Sequence, residues 1–90
     1  MADRNAAVSV TTSATRLDSS AKTDGMTGSD IALYNAGAVT VYLGKSDVTT
    51  ANGVPLAAGA YWSESLGTDS ALYGIVASGT CEVRVRETGI

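Results

Sequence analysis

Cys81-Glu82-Val83-Arg84-Val85-Arg86 alternates without a fault: Cys81, Val83 and Val85 fall on one side of an extended chain, and Glu82, Arg84 and Arg86 on the other. Side chains of a β-strand point to opposite faces with a period of two, so this stretch predicts a strand with one face in a core and the other in solvent or a polar interface. Upstream, Ala71-Leu72-Tyr73-Gly74-Ile75-Val76-Ala77 is almost continuously apolar and predicts a strand covered on both sides, with Ser78-Gly79 as the intervening turn. Ala60 to Leu66 predicts another strand, with Trp62, Glu64 and Leu66 on one side, closed by Gly67-Thr68-Asp69-Ser70. Ile31 and Leu33 share a face, as do Val39, Val41 and Leu43, and the short Ala36-Gly37 link predicts that the two strands form a tight antiparallel hairpin. Residues 44–59 carry Ser46-Asp47, Asn52-Gly53, Pro55 and Gly59. They predict a long connection without a central strand that crosses between sheets, while Val48, Val54 and Leu56 cover one end of the core. Strands at intervals of roughly 8 to 15 residues with no helical window predict an all-β chain, a small antiparallel β-sandwich or jelly roll.

Composition narrows the function classes. The chain has 90 residues, enough for one small domain, and a formal net charge of −3, which argues against the concentrated positive surface a nucleic-acid binder needs. It has no His and one Cys, which removes His-based triads, the usual zinc sites and any intrachain disulfide. No apolar run approaches the roughly 20 residues that span a bilayer. Met1-Ala2-Asp3-Arg4-Asn5 lacks the basic-then-apolar pattern of a secretory leader, so the chain is expected to be made in the cytoplasm. A domain with no Phe and no disulfide gains from burying surface between subunits, which favours a homo-oligomer.

Residues 1–27 differ from the rest, with Val8, Val10 and Leu17 as their only large aliphatics and a loop composition over residues 18–25. Ala7 to Thr12 alternates and fits one strand, and Thr15 to Leu17 a second, shorter one. Two readings stand: a terminus with a single edge strand, or an arm over residues 1–14 that orders on a partner through Val8, Val10, Thr11 and Thr12, leaving residues 15–90 as the sandwich domain.

No motif supports catalysis. Gly44-Lys45-Ser46 resembles the end of a phosphate-binding loop, but Val39 stands where the first Gly belongs. Cys81 shares the phase of Val83 and Val85 and is expected to be a buried core thiol with no His to activate it. Asp18, Asp24, Asp30, Asp47 and Asp69 lie in or beside turns, without calcium-loop spacing, and Glu64 with Glu82 offers no acid–base pair in a cleft. No cofactor, metal or enzymatic activity is expected. The aromatic residues Tyr34, Tyr42, Tyr61 and Trp62, with Arg84 and Arg86, are the candidates for a subunit or partner interface, and Tyr34 and Tyr42 are expected to share a face.

From Ile31 to Gly89 the ordered set Asn35, Gly37, Val41-Tyr42-Leu43-Gly44, Val48-Thr49, Asn52-Gly53, Pro55-Leu56, Gly59, Leu72-Tyr73, Ile75, Gly79-Thr80 and Val83-Arg84-Val85 resembles a group of small tailed-bacteriophage virion proteins, the capsid decoration (cement) proteins. The resemblance implies a β-sandwich homotrimer on the outer surface of the capsid in the virion. It would bind the major capsid protein, with an extended N-terminal arm and without nucleic acid or membrane. Two alternatives remain: another virion component (a head-fibre, tail or adaptor domain), or a carbohydrate-binding module in which Trp62 and Tyr61 stack on a sugar.

Overall fold

The computed structural model describes residues 3–19, 29–67 and 70–88. These contain eight strands: β1 Asp3–Val10, β2 Thr15–Arg16, β3 Ser29–Asn35, β4 Val41–Gly44, β5 Val54–Leu56, β6 Tyr61–Leu66, β7 Tyr73–Ile75 and β8 Cys81–Thr88. β1 pairs with β8, β2 with β7, β3 with β6 and β4 with β5, all antiparallel. The chain is thus one long two-stranded ribbon whose closed tip is the turn over residues 45–53. Rolling that ribbon adds the pairings β3 with β8 and β4 with β7. The result is sheet A, ordered β1-β8-β3-β6, packed on sheet B, ordered β2-β7-β4-β5. Two four-stranded sheets in this order make a jelly roll, so the all-β expectation holds.

The core lies between the sheets. Val10, Ile31, Leu33, Val83 and Val85 point inward from sheet A, and Val41, Leu43 and Leu56 from sheet B. β8 shows the alternation in full, buried at Cys81, Val83 and Val85 and exposed at Glu82, Arg84 and Arg86. Gly74 faces this layer, where a Cβ would sit 2.9 Å from Cγ1 of Val41 on the neighbouring strand of the same sheet, so the Val41 side chain fills the space that β7 leaves there.

Four local expectations are corrected. First, β3 and β4 are not a hairpin, because they lie in opposite sheets. Asn35 turns the chain between them. Its buried Nδ2 donates to Val39 O (2.8 Å) and Leu56 O (2.9 Å), and its Oδ1 accepts from Gly37 N (3.0 Å) and Cys81 Sγ (3.0 Å). One side chain thereby satisfies the backbone that leaves both ladders at this corner, and Gly37 passes so close to Cys81 that a Cβ would collide with its sulfur. Second, residues 44–59 do not simply cross between sheets. β5 returns beside β4 as an edge strand, where Pro55 needs no ladder donor, and only residues 57–60 cross to β6. Val48 and Leu56 are buried as expected, but Val54 at this edge is exposed. Third, β7 is covered on one side: Leu72, Gly74 and Val76 are buried, and Tyr73 and Ile75 are half-buried. Fourth, Asp3–Val10 is no arm. All eight residues pair with β8, Val8 faces inward and Val10 is wholly in the core, because the alternation of Ala6, Val8 and Val10 matches the pleat of β8. Met1, Ala2, Asp24, Asp69 and the expected loop beyond Ser19 lie outside the described residues.

The core row of β8 continues one step further, to a charge. Glu87 is 0% exposed and stands opposite Arg4 in the β1–β8 register. Its Oε1 accepts from Arg4 Nη1 (3.2 Å) and Ser19 N (2.8 Å), and its Oε2 from Ser29 Oγ (2.6 Å). Nearby, buried Asp18 takes both ends of Arg16 (3.0 and 3.2 Å) and the N–H of Leu72 (3.0 Å). The hydrogen bond to Asp18 raises the pKa of the Arg16 guanidinium above its ordinary value. Among the described residues no buried side-chain nitrogen or oxygen lacks a partner.

Three substitutions test this account. Leu33→Ala should cost about 3 kcal/mol in denaturant unfolding, since the residue sits in the middle of the core. Glu87→Ala should cost about 3 kcal/mol, as it leaves three donors without their acceptor. Glu82→Ala should change stability by no more than about 0.5 kcal/mol, although its 2.6 Å contact with Arg84 is the shorter ion pair, because both partners lie in solvent.

Candidate functional site

The alternation that fills the core also lays out the opposite side of sheet A. Three rows cross it from β1 to β6: Ala7, Arg84, Tyr34, Tyr61; then Asn5, Arg86, Ala32, Ser63; then Asp3, Thr88, Asp30, Ser65. Tyr34 and Tyr61 stand opposite each other on β3 and β6, with ring centroids 4.7 Å apart and planes tilted by 40°. Tyr61 is 78% exposed, the most exposed large hydrophobic residue among those described.

The two arginines form a ridge along β8. Arg84 Nε meets Glu82 Oε2 at 2.6 Å, and Arg86 Nη2 meets Asp3 Oδ2 at 3.4 Å. Both pairs are exposed, so each guanidinium keeps donors for an incoming group. Short neighbours leave a shallow depression on each side of the ridge. One of about 490 Å³ is lined by Asn5, Ala7, Arg84 and Arg86, and another of about 330 Å³ by Asp30, Ala32, Ser63, Ser65, Arg86 and Thr88. In the second, Ser65 Oγ donates to Asp30 Oδ1 (2.7 Å). The surface offers aromatic area, guanidinium donors and small-residue floors, which is the chemistry of recognition. Glu82 and Asp3 pair with the two arginines, and Asp30 with Ser65.

The residues singled out in the sequence therefore divide. Tyr34, Tyr61, Arg84 and Arg86 come together on the outer face of sheet A. Tyr42 lies on the outer face of sheet B, opposite Ile75 and Pro55 in register, so it shares no face with Tyr34. Trp62 points inward, half-buried against the core, with Nε1 donating to Glu64 Oε1 (3.3 Å). As neighbours on one strand Trp62 and Tyr61 face opposite ways and cannot form one sugar platform. Of the expected arm residues, Val8 and Val10 serve the core. Thr11 closes the turn after β1, its O accepting from Val76 N (3.1 Å) and its Oγ1 donating to Ser13 O (3.2 Å), and Thr12 is exposed.

Sequence reasoning missed Asp30, Ser63 and Ser65, which the register alone brings beside Arg86. It also missed Glu87, although that residue carries a legible signal as the one charge in phase with Cys81, Val83 and Val85. Comparison with family models, curated proteins and solved structures finds no significant match to this chain.

Because Tyr61 touches little besides Tyr34, Tyr61→Ala and Arg84→Ala should each shift unfolding free energy by no more than about 0.5 kcal/mol. A much larger loss in denaturant titration would move these residues from the surface to the fold.

Proposed function

We propose that the chain is a decoration (cement) protein of a tailed-bacteriophage head, binding the assembled shell and stabilising contacts between major capsid subunits. The observation that carries this reading is the outer face of sheet A, where Tyr61 and Tyr34 stand beside Arg84 and Arg86 on a rigid sheet. Tyr and Arg are the residues that dominate protein interfaces, and they are most effective where a rigid scaffold holds them. The jelly roll and the ordered motif set from Asn35 to Val85 support the same reading.

The mechanism is mechanical. A body that binds two capsid subunits where they meet, and binds only the assembled state, stabilises that state by mass action. Separating the subunits then requires breaking its contacts as well. Many copies on a symmetric shell repeat the effect. The arm is not needed, since residues 3–10 are committed to sheet A.

A carbohydrate-binding role is the second reading, favoured by the exposed Tyr34–Tyr61 ring pair, on which a pyranose could lie. It predicts a change in intrinsic tyrosine fluorescence on glycan titration, which Tyr61→Ala abolishes.

For the decoration reading, image reconstruction of the purified phage that encodes the chain should show it in hundreds of copies on the head. Tyr61→Ala should weaken binding to mature heads about 30-fold, a loss of about 2 kcal/mol, with the melting transition unchanged. Heads that lack the chain, or full-strength binding by Tyr61→Ala combined with Arg84→Ala, would count against it.

A further inference from the structure

We propose that two copies of this chain associate edge to edge through β1, joining their sheets A into one eight-stranded antiparallel sheet about a two-fold axis. The inference rests on how the four sheet edges are built and does not depend on the capsid reading.

An open strand edge is a template for another strand, and proteins block it with shortness, proline or an inward-pointing charge. Three of the four edges here carry such a block. β2 has only two residues. β5 has three, with Pro55 in the middle. β6 carries Glu64 on its inward row between Trp62 and Leu66, so a strand added there would bury a carboxylate further. β1 carries no block over Asn5–Val10; its one inward-pointing charge, Arg4, lies near the start of the strand and is held by Glu87. β1 is eight residues long, and from Asn5 to Val10 it has no charge and no proline. Its inward row is also incomplete. Ala6 and Val8 pack on the core yet remain half-buried, whereas their register partners Val85 and Val83 on β8 are fully buried. Among the described residues, no strand pairs with the far side of β1.

The sequence of this edge fits a second copy of itself. Opposed residues of antiparallel strands point to the same face, so a two-fold axis normal to the sheet must run between one residue and its own copy. An axis at Ala7 sets Ala7 against the partner's Ala7 and Asn5 against the partner's Ser9 on the outer row. On the inner row it sets Ala6 against the partner's Val8, twice, closing the half-exposed apolar positions. Asp3 and Arg4 of each copy then lie at opposite ends of the pairing, so no like charges meet.

Sedimentation of the full chain across the micromolar range should give twice the 9.1 kDa chain mass. Ala7→Cys should form a disulfide-linked dimer on mild oxidation, because directly opposed residues lie roughly 4.5–5.5 Å apart at Cα, within the disulfide range. The wild type should not, since its Cys81 is buried. Ala6→Lys should be monomeric with its melting transition retained. Ser9→Lys, at an exposed position on the same edge, serves the same purpose should Ala6→Lys fail to fold. A monomer at all concentrations, the trimer that the family resemblance implies, a dimer that Ala7→Cys does not cross-link, or a folded lysine variant that still dimerises would overturn the proposal.

Discussion

The rest of the structure depends on the carboxylate of Glu87. It sits on the core-facing row of β8 and accepts hydrogen bonds from β1 through Arg4, from the segment after β2 through Ser19 N, and from the first residue of β3. These parts of the chain are distant in sequence and belong to both layers of the sandwich. A hydrophobic residue at position 87 could fill the same volume, but it would let β1 or β8 slide by two residues with its apolar row still inward. A carboxylate with three directed donors does not tolerate such a shift, because each donor would be left buried and unpaired. The neighbouring Asp18 acts in the same way on sheet B, joining Arg16 to the N–H of Leu72 beside β7.

Much of the fold was legible because it follows from period two. The rows of β8 and β6, and the inward pair Ile31 and Leu33, read correctly from alternation alone. What alternation cannot give is the sheet to which a strand belongs. Ala36-Gly37 looks like a hairpin turn because short links usually join sequential strands. The decisive residue is Asn35, whose amide replaces backbone partners at a corner, and nothing local distinguishes that asparagine from one in a turn. The same limit explains β7, whose apolar run suggests two covered faces but whose outer row of Tyr73 and Ile75 is only half-buried.

The candidate surface was legible in part for the same reason. Arg84 and Arg86 were placed outward by phase, but their companions come from strands far away in sequence. Tyr34 and Tyr61 meet only because β3 and β6 pair in the register that opposes them. Tyr61 and Trp62, adjacent in sequence, lie on opposite faces of β6. One faces solvent, and the other closes the edge of the core.

The position of the polar clamp follows from the topology. A rolled ribbon has one end closed by covalent continuity, here the turn over residues 45–53, and one end that only non-covalent contacts hold. Bringing β1 against β8 by itself would close a loop of about 70 residues between Val10 and Cys81, costing about 2 kcal/mol more in chain entropy than closing the tip. The open end is therefore where fraying is least opposed. That is where Arg4 and Glu87 face each other, one position in from Asp3–Thr88, the last pair among the described residues, with Arg4 also donating to Leu17 O at 3.0 Å. Fastening this end keeps β1 and β8 in register along their whole length, and β8 carries the arginine ridge. The surface on sheet A can present Arg84, Arg86 and the tyrosine pair in one geometry because a buried charge on the opposite face holds the strand beneath them.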